Sequence, residues 1–215
     1  MALFLDSAQL DEARRASTLG FIVGATTNPG LLARAGHADA LKALKALCPL
    51  FPGTVFYQLL GHTPREMEAE AEAFLSLAEN IGLKIPCTAD GLAYAAQVSA
   101  RVTVAMTGVF TPAQAYLSAQ AGAEYVIPYV NRVTRFTGDG PGLIGQIAAI
   151  LDPTDCEILA AGIKSPAEAV DTLLAGAHHV SLPLDVILGM AQNPLTEKAV
   201  ADFEAAWAAR GKAAG

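Results

Sequence analysis

Ile81-Gly82-Leu83-Lys84-Ile85-Pro86 is apolar at every position but one. A run of this kind, without polar alternation, reads as a strand covered on both faces, the strand type of parallel sheets. Its one exception is an ammonium ion. Such a group resists leaving water, so a buried lysine either finds partners or gives up its proton. A lysine that gives it up is a nucleophile able to form a Schiff base with a carbonyl compound. The other reading is a lysine that snorkels from the strand end or pairs with a carboxylate. The remaining five lysines, Lys42, Lys45, Lys164, Lys198 and Lys212, lie in helical, loop or terminal contexts.

Similar short apolar runs recur on either side. The pattern predicts strands over Ala2–Leu5, Phe21–Gly24, Thr54–Leu60, Gly82–Ile85, Val102–Met106, Tyr125–Val130, Glu157–Ala160 and His179–Leu182. Ala/Leu-rich stretches between them predict helices near Ser7–Leu19, Pro29–Leu47, Pro64–Asn80, Ala89–Ala100, Thr111–Ala121, Gly140–Leu151, Ser165–Ala175 and Pro183–Met190. Thr63, Thr111 and Ser165 each precede a proline, placing a capping hydroxyl before proline at the first helical position. Eight βα units in a chain of 215 residues are what a closed (β/α)8 TIM barrel requires. An open doubly wound sheet is the alternative, but no GxGxxG follows the first strand. The expected architecture is one α/β domain over residues 1–215, with an extra C-terminal helix near 195–209. Phe203 and Trp207, four residues apart on that helix, suit packing on a barrel or a neighbouring subunit.

Composition narrows the function. Apolar residues make up 53% of the chain and charged residues 16%, enough for a sizeable core. The formal net charge of −7, without a basic cluster, argues against nucleic acid. No apolar stretch approaches a membrane span, and Met1 to Asp6 reaches a charge too soon for a signal peptide. Cys48, Cys87 and Cys156 are widely spaced with no CxxC, so a reduced, cytoplasmic protein is expected. His178 and His179 are adjacent, and on a strand they point to opposite faces, a poor metal pair.

In a parallel barrel, chemistry sits at the carboxyl ends of the strands. Those ends are polar here: Asp6, then Thr26-Thr27-Asn28, Gln58, Lys84, Thr107, Tyr129 leading into Asn131-Arg132, and Gly162 with Lys164. Each has an ordinary structural use, such as Asp6 or Asn28 capping a helix. Together they supply an amine nucleophile with nearby proton carriers, as carbinolamine formation and dehydration require. Tyr129, Gln58 and Thr107 can hold a water for proton traffic. Asp6 and Asn28 suit the hydroxyls of a polyol, and Arg132 suits bidentate recognition of a phosphate.

Gly24-Ala25-Thr26-Thr27-Asn28-Pro29 resembles the signature of the transaldolase family. Leu83-Lys84-Ile85-Pro86 with Thr88-Ala89-Asp90-Gly91-Leu92 resembles the segment that carries its Schiff-base lysine. Ala121 to Val126, Pro128-Tyr129-Val130-Asn131-Arg132 and Leu182-Pro183-Leu184-Asp185 extend the likeness over essentially the whole chain. Within the family the chain is most similar to the short microbial branch of fructose-6-phosphate aldolases and short transaldolases. A Gln and Tyr pair in the pocket marks the aldolase group, whereas transaldolases usually show Glu and Phe; this chain has Gln58 and Tyr129.

The resemblance therefore implies a class I aldolase, a carbon–carbon lyase. It would cleave fructose 6-phosphate to dihydroxyacetone and glyceraldehyde 3-phosphate, or add dihydroxyacetone-type donors to aldehydes. It implies no metal or organic cofactor, and a homo-oligomer, pentamer or decamer. The catalytic set would be Lys84, Tyr129, Gln58, Thr107 and Asp6; the substrate-binding set would be Thr26, Thr27, Asn28, Arg132, Gly162 and Lys164. A short transaldolase is the alternative, and a non-catalytic sugar-phosphate binder on the same barrel is a weaker one. Three positions depart from the family pattern and bear on acceptor preference. Gly30 stands where a small hydroxyl residue or Ala is usual, Gly162 replaces a phosphate-binding serine, and Ile127 replaces a small residue beside the donor.

Overall fold

Eight parallel strands pair in chain order and close on themselves, β8 returning to β1. The computed structural model of the chain describes residues 1–212; the single-domain reading runs to 215, and its last three positions lie outside the described residues. The strands are β1 (Leu3–Asp6), β2 (Ile22–Thr26), β3 (Val55–Gln58), β4 (Ile81–Pro86), β5 (Val104–Val109), β6 (Tyr125–Pro128), β7 (Glu157–Ala160) and β8 (His179–Leu182). The helices are α1 (Leu10–Ser17), α2 (Pro29–Arg34), α3 (Ala40–Leu47), α4 (Pro64–Leu75), α5 (Ala89–Val98), α6 (Pro112–Gln120), α7 (Val130–Thr137), α8 (Gly140–Leu151), α9 (Pro166–Leu174), α10 (Leu184–Met190) and α11 (Pro194–Lys212). This is the (β/α)8 TIM barrel with an additional C-terminal helix.

The three hydroxyl–proline starts behave as expected. Thr63, Thr111 and Ser165 accept from the backbone N–H groups of Glu66, Gln114 and Glu168, and Thr63 with Glu66 completes a reciprocal capping box. Each cap stabilises its helix by about 1 kcal/mol and fixes where the chain turns back from the barrel mouth.

Three expectations need correction. The helix expected over Pro29–Leu47 is two, because Gly36 turns left-handed at φ 73° and Asp39 starts α3 by accepting from Lys42 N–H. The strand expected over Tyr125–Val130 stops at Pro128, and α7 follows at once, where no helix was expected. Its β-branched Val130, Val133, Thr134 and Thr137 favour strand locally, but burial of Val130 and Val133 decides the outcome. Strands β2 and β5 run later than expected, so Thr26 and Thr107 lie within strands rather than beyond them.

The core has two parts. Leu5, Leu44, Val55, Leu83, Ile85, Met106, Val126, Ile144 and Ile158 pack between strands and helices. Inside the barrel a separate cluster joins Phe4, Phe56, Ala105, Ile127 and Leu159. At its lower end the rings of Phe4, Phe56, Tyr125 and His179 meet edge-on or tilted, with centroids 5.6 to 6.5 Å apart. His179 is anchored there by the Ala2 N–H on Nδ1 and by Glu157 on Nε2 at 2.7 Å. These rings close the amino-terminal end of the barrel.

Helix α11 does not pack on its own barrel. Phe203 and Trp207 are 71% and 69% exposed, and from Pro194 to Arg210 only Ala199 is even partly covered. Among the described residues no helix is long and apolar enough to cross a membrane.

Candidate active site

Side chains alternate across a strand, so the residue two positions on shares the same face. From Phe4, Phe56, Gly82, Ala105 and Ile127 that step leads to Asp6, Gln58, Lys84, Thr107 and Tyr129. The strand register sets Gln58 beside Lys84 and Asp6 beside Thr26. One apolar layer therefore carries a polar layer directly above it.

Lys84 is only 2% exposed. Its Nζ donates to the Thr27 carbonyl at 3.3 Å and stands 5.8 Å from the centre of the Tyr129 ring. No carboxylate lies within ion-pair distance of it among the described residues. A lysine kept for structure by a salt bridge is thus not what the barrel holds. The Tyr129 hydroxyl and the Thr107 hydroxyl are 2.7 Å apart. Asp6 accepts from Thr26 Oγ1 at 2.9 Å, and Thr26 in turn meets the Ser181 hydroxyl at 2.7 Å. Burial is the largest influence on Asp6 and pushes its carboxyl above the ordinary value, against the downward pull of Lys84 foremost, then the Thr26 bond, Lys164 and Arg34.

A cavity of about 550 Å³ opens above this layer, lined by Asp6, Asn28, Gln58, Lys84, Tyr129, Arg132, Gly162 and Lys164 among others. The structure thus brings most of the sequence-derived site residues around one cavity. It places Thr26, Thr27 and Thr107 elsewhere. All three are buried beneath the cavity, with Thr26 bonded to Asp6 and Thr27 donating to the Phe56 carbonyl. They were expected to touch substrate or hold a water; the Thr26 and Thr107 hydroxyls instead meet Asp6 and Tyr129, the Thr27 hydroxyl meets the Phe56 carbonyl, and it is the Thr27 carbonyl that receives Lys84. Ile127, expected to narrow the pocket, is fully buried in the layer below and does not line the cavity.

The mouth is built from loops and first helical turns. Asn28 caps α2, its Oδ1 accepting from Leu31 N–H at 2.9 Å, which leaves its amide N–H groups for the cavity. Arg132 lies over the rings of Tyr129 and Phe110, 5.0 and 5.9 Å from their centres, which holds a flexible side chain in place. Gly162 has φ 69°, a conformation that strains any side chain, while the nearest atom to an added Cβ is 3.6 Å away. Backbone shape, not space, selects glycine where the family pattern has serine.

Sequence reasoning missed several residues here. Glu168 takes the Asn131 amide at 3.1 Å on one oxygen and the Lys164 N–H at 2.7 Å on the other, tying the start of α7 to the β7–α9 turn. Arg34 and Arg135 also line the cavity. Arg135 follows Arg132 by three residues, a helical neighbour, and was invisible because α7 was not expected. Arg34 carried a signal, a lone cation at the end of the helix begun by Asn28-Pro29. The cavity thus gathers Lys84, Arg34, Arg132, Arg135 and Lys164 around one carboxylate, Asp6, in a chain of net charge −7. None of the five cations is in an ion pair among the described residues. Such a site attracts anions.

A cavity of about 580 Å³ between α4 and α5 opens at the other end of the strands. Glu68, Glu72 and Glu79 line it against a single Arg101, and it holds no lysine or other strong nucleophile. Its sign and chemistry set it apart from the mouth. Among the described residues no three His, Cys, Asp or Glu side chains gather as a metal site.

Residues 3–214 match the family model described as transaldolase/fructose-6-phosphate aldolase, and the chain belongs to that family. Among curated proteins it is 40% identical to a probable transaldolase of Maridesulfovibrio salexigens over 96% of this chain and 98% of that one. It is 37% identical to a probable transaldolase of Symbiobacterium thermophilum, over 99% and 100% of the two chains. A probable transaldolase of Desulforamulus reducens is 38% identical, with 97% of each chain covered.

Proposed function

We propose that this chain is a class I aldolase that reversibly cleaves fructose 6-phosphate to dihydroxyacetone and glyceraldehyde 3-phosphate, and adds dihydroxyacetone-type donors to other aldehydes. The observation that carries this is Lys84: buried, with no carboxylate at ion-pair distance among the described residues, and facing a cationic cavity beside the Tyr129 ring.

In the cleavage direction the Lys84 amine adds to the ketone carbon, and loss of water gives the iminium. The hydroxyl two carbons from the iminium carbon then gives its proton to the water beside Tyr129. The bond between the two intervening carbon centres breaks as that oxygen becomes the aldehyde carbonyl, and the bond's electron pair enters the iminium to leave an enamine. The aldehyde departs. Tyr129 returns a proton to the enamine carbon, and water releases the ketone and the free amine. Thr107 orients the Tyr129 phenol, and Gln58 beside Lys84 holds the water. Asp6 and Asn28 bind donor hydroxyls. Arg132, with the Gly162 N–H and Lys164, receives the acceptor phosphate.

A transaldolase is the second reading, supported by the names of the relatives. Gln58 and Tyr129 favour the aldolase, because the resemblance ties that pair to free release and Glu with Phe to transfer. The test is fructose 6-phosphate with no aldehyde added. Free dihydroxyacetone at a steady rate supports the aldolase. Turnover that begins only when an aldehyde acceptor is supplied identifies a transaldolase.

We further propose a cytoplasmic homo-oligomer, a pentamer or decamer. The exposed Phe203 and Trp207 of α11 support assembly, and three free cysteines suit a reducing compartment. Sedimentation of the full chain and of Trp207→Glu checks this. A native protein that sediments as a monomer contradicts it.

A further inference from the structure

We propose that Ser181 is a positioning residue of the active site: its hydroxyl donates to Thr26, which thereby holds Asp6 in the orientation that receives a hydroxyl of the donor. The inference rests on the reading of Asp6 as a group that binds the donor beside Lys84.

Ser181 and Thr26 are both fully buried. On β8 Ser181 pairs with Phe4, and on β2 Thr26 pairs with Asp6, so their hydroxyls meet across the inner face of β1 at 2.7 Å. Burying a hydroxyl costs free energy unless it is bonded, and alanine or valine fills such space without that cost. Packing alone does not call for a polar pair here.

Proton counting gives the pair a direction. A threonine hydroxyl has one proton to donate. Thr26 gives it to Asp6 Oδ1 at 2.9 Å, so the proton between Thr26 and Ser181 is the serine's. The chain runs from Ser181 to Thr26 to Asp6. In the reverse direction a proton on Asp6 Oδ1 would go to Thr26, and Thr26 would donate to Ser181. The Ser181 proton would then have no acceptor among the described residues. The chain is complete in one direction only, the one with Asp6 ionised. The Thr26 bond favours that form, against the burial that opposes it. Asp6 Oδ2 takes no bond from the protein among the described residues, and Asp6 lines the main cavity. With Oδ1 held, Oδ2 is the oxygen offered to substrate.

Other charges also bear on Asp6: Lys84 from β4, Lys164 after β7 and Arg34 on α2. Glu12 of α1 lines a side cavity with Asp6, its two oxygens engaged by the Ser7 hydroxyl and the Gln9 amide. His179 of β8 is engaged at the floor by Ala2 and Glu157. Removing the Ser181 hydroxyl leaves all of these in place, so its effect can be read by itself.

Two measurements on the full chain test the proposal. The first is an NMR titration of protein with ¹³C-labelled aspartate carboxyls, Asp6→Asn identifying the Asp6 signal. Ser181→Ala is expected to move the Asp6 midpoint upward, and Ser181→Thr, which keeps the hydroxyl, to leave it near the native one. Thr26→Val, which keeps the threonine shape, should also raise it. The second is trapping with dihydroxyacetone and cyanoborohydride. Ser181→Ala should raise the donor concentration that half-saturates adduct formation by about tenfold, with a smaller change in maximal rate. Introduced into Asp6→Asn, the same substitution should change trapping by less than about twofold. Thermal melts confirm that the variants fold. A serine that only packs would leave the Asp6 midpoint unmoved, or would cost as much in Asp6→Asn as in the native chain; either result overturns the proposal. So does a shifted midpoint with unchanged half-saturation. Failure of the native chain to form any adduct refutes Lys84 as the nucleophile, and the titration then judges by itself whether Ser181 holds Asp6.

Discussion

The floor and the mouth of the barrel are built by the same strands, two residues apart, and have opposite chemistry. Phe4 becomes Asp6, Phe56 becomes Gln58, Ile127 becomes Tyr129. The floor needs only volume and the exclusion of water, so its interactions serve stability. The mouth needs particular functional groups, and around Lys84 it holds Arg34, Arg132, Arg135 and Lys164 with no ion pair to a protein carboxylate among the described residues. The two depend on each other. The rings below close the barrel, and that closure keeps Lys84 out of water.

Changes in the two layers should therefore have different signatures. Lys84→Met gives the largest effect on activity, a loss of at least about a thousandfold in kcat. Its denaturation midpoint should remain near the native one, because methionine fills a similar volume in the buried position. Phe56→Ala, one layer down, reverses the pattern. It should lower stability by about 3–5 kcal/mol in urea titrations, while the folded fraction still forms the lysine adduct. A stability loss as large in Lys84→Met would erase the distinction between the layers.

Within the mouth, effects should grade by role. Tyr129→Phe should shift product partition from cleavage toward transfer by about tenfold, measured as free dihydroxyacetone against transferred product; an unchanged ratio removes Tyr129 as the proton donor. Glu168→Ala should raise KM for a phosphorylated acceptor several-fold and leave kcat with an unphosphorylated aldehyde nearly unchanged. Glu168→Gln, which keeps an acceptor for one of the two bonds, should recover part of the loss. Equal effects on both acceptors would make Glu168 a purely structural residue.

The smallest effect concerns pH. Burial holds the Asp6 carboxyl above its ordinary 3.8, with Lys84 foremost among the groups that pull it back. The folded chain binds this proton more tightly than the unfolded chain. Stability from this group is thus fully present below 3.8 and declines as pH rises through the raised value. Asp6→Asn should flatten that decline in urea midpoints measured across the acidic range. A variant with the same slope as the native chain assigns the decline to another group.

The barrel itself was legible because apolar runs and helix starts repeat along the chain, each with its own local signal. The cap at Thr63 is written in Thr-Pro-x-Glu, and the structure keeps it. Helix α7 was not legible, because Val130, Val133 and Thr134 favour strand and only tertiary burial makes them helical. That one omission hid Arg135. Lys84, Tyr129, Gln58 and Asp6 could be found as polar residues at strand ends. Their neighbours Thr26 and Thr107 share that layer but are buried, with their hydroxyls bonded to Asp6, Ser181 and Tyr129, and side-chain bonds between strands leave no local mark in the sequence. Glu168 belongs to a helix three strands beyond Lys84 in the chain, and nothing local marks its reach to Asn131.

The central claim is that Lys84 is the nucleophile. Incubation of the full chain with dihydroxyacetone and borohydride, followed by peptide mass analysis, addresses it directly. The account predicts a stable adduct, with the mass of the reduced donor, on the peptide containing Lys84 and absent in Lys84→Met. An unmodified Lys84 peptide, or an adduct that persists in Lys84→Met, would contradict it.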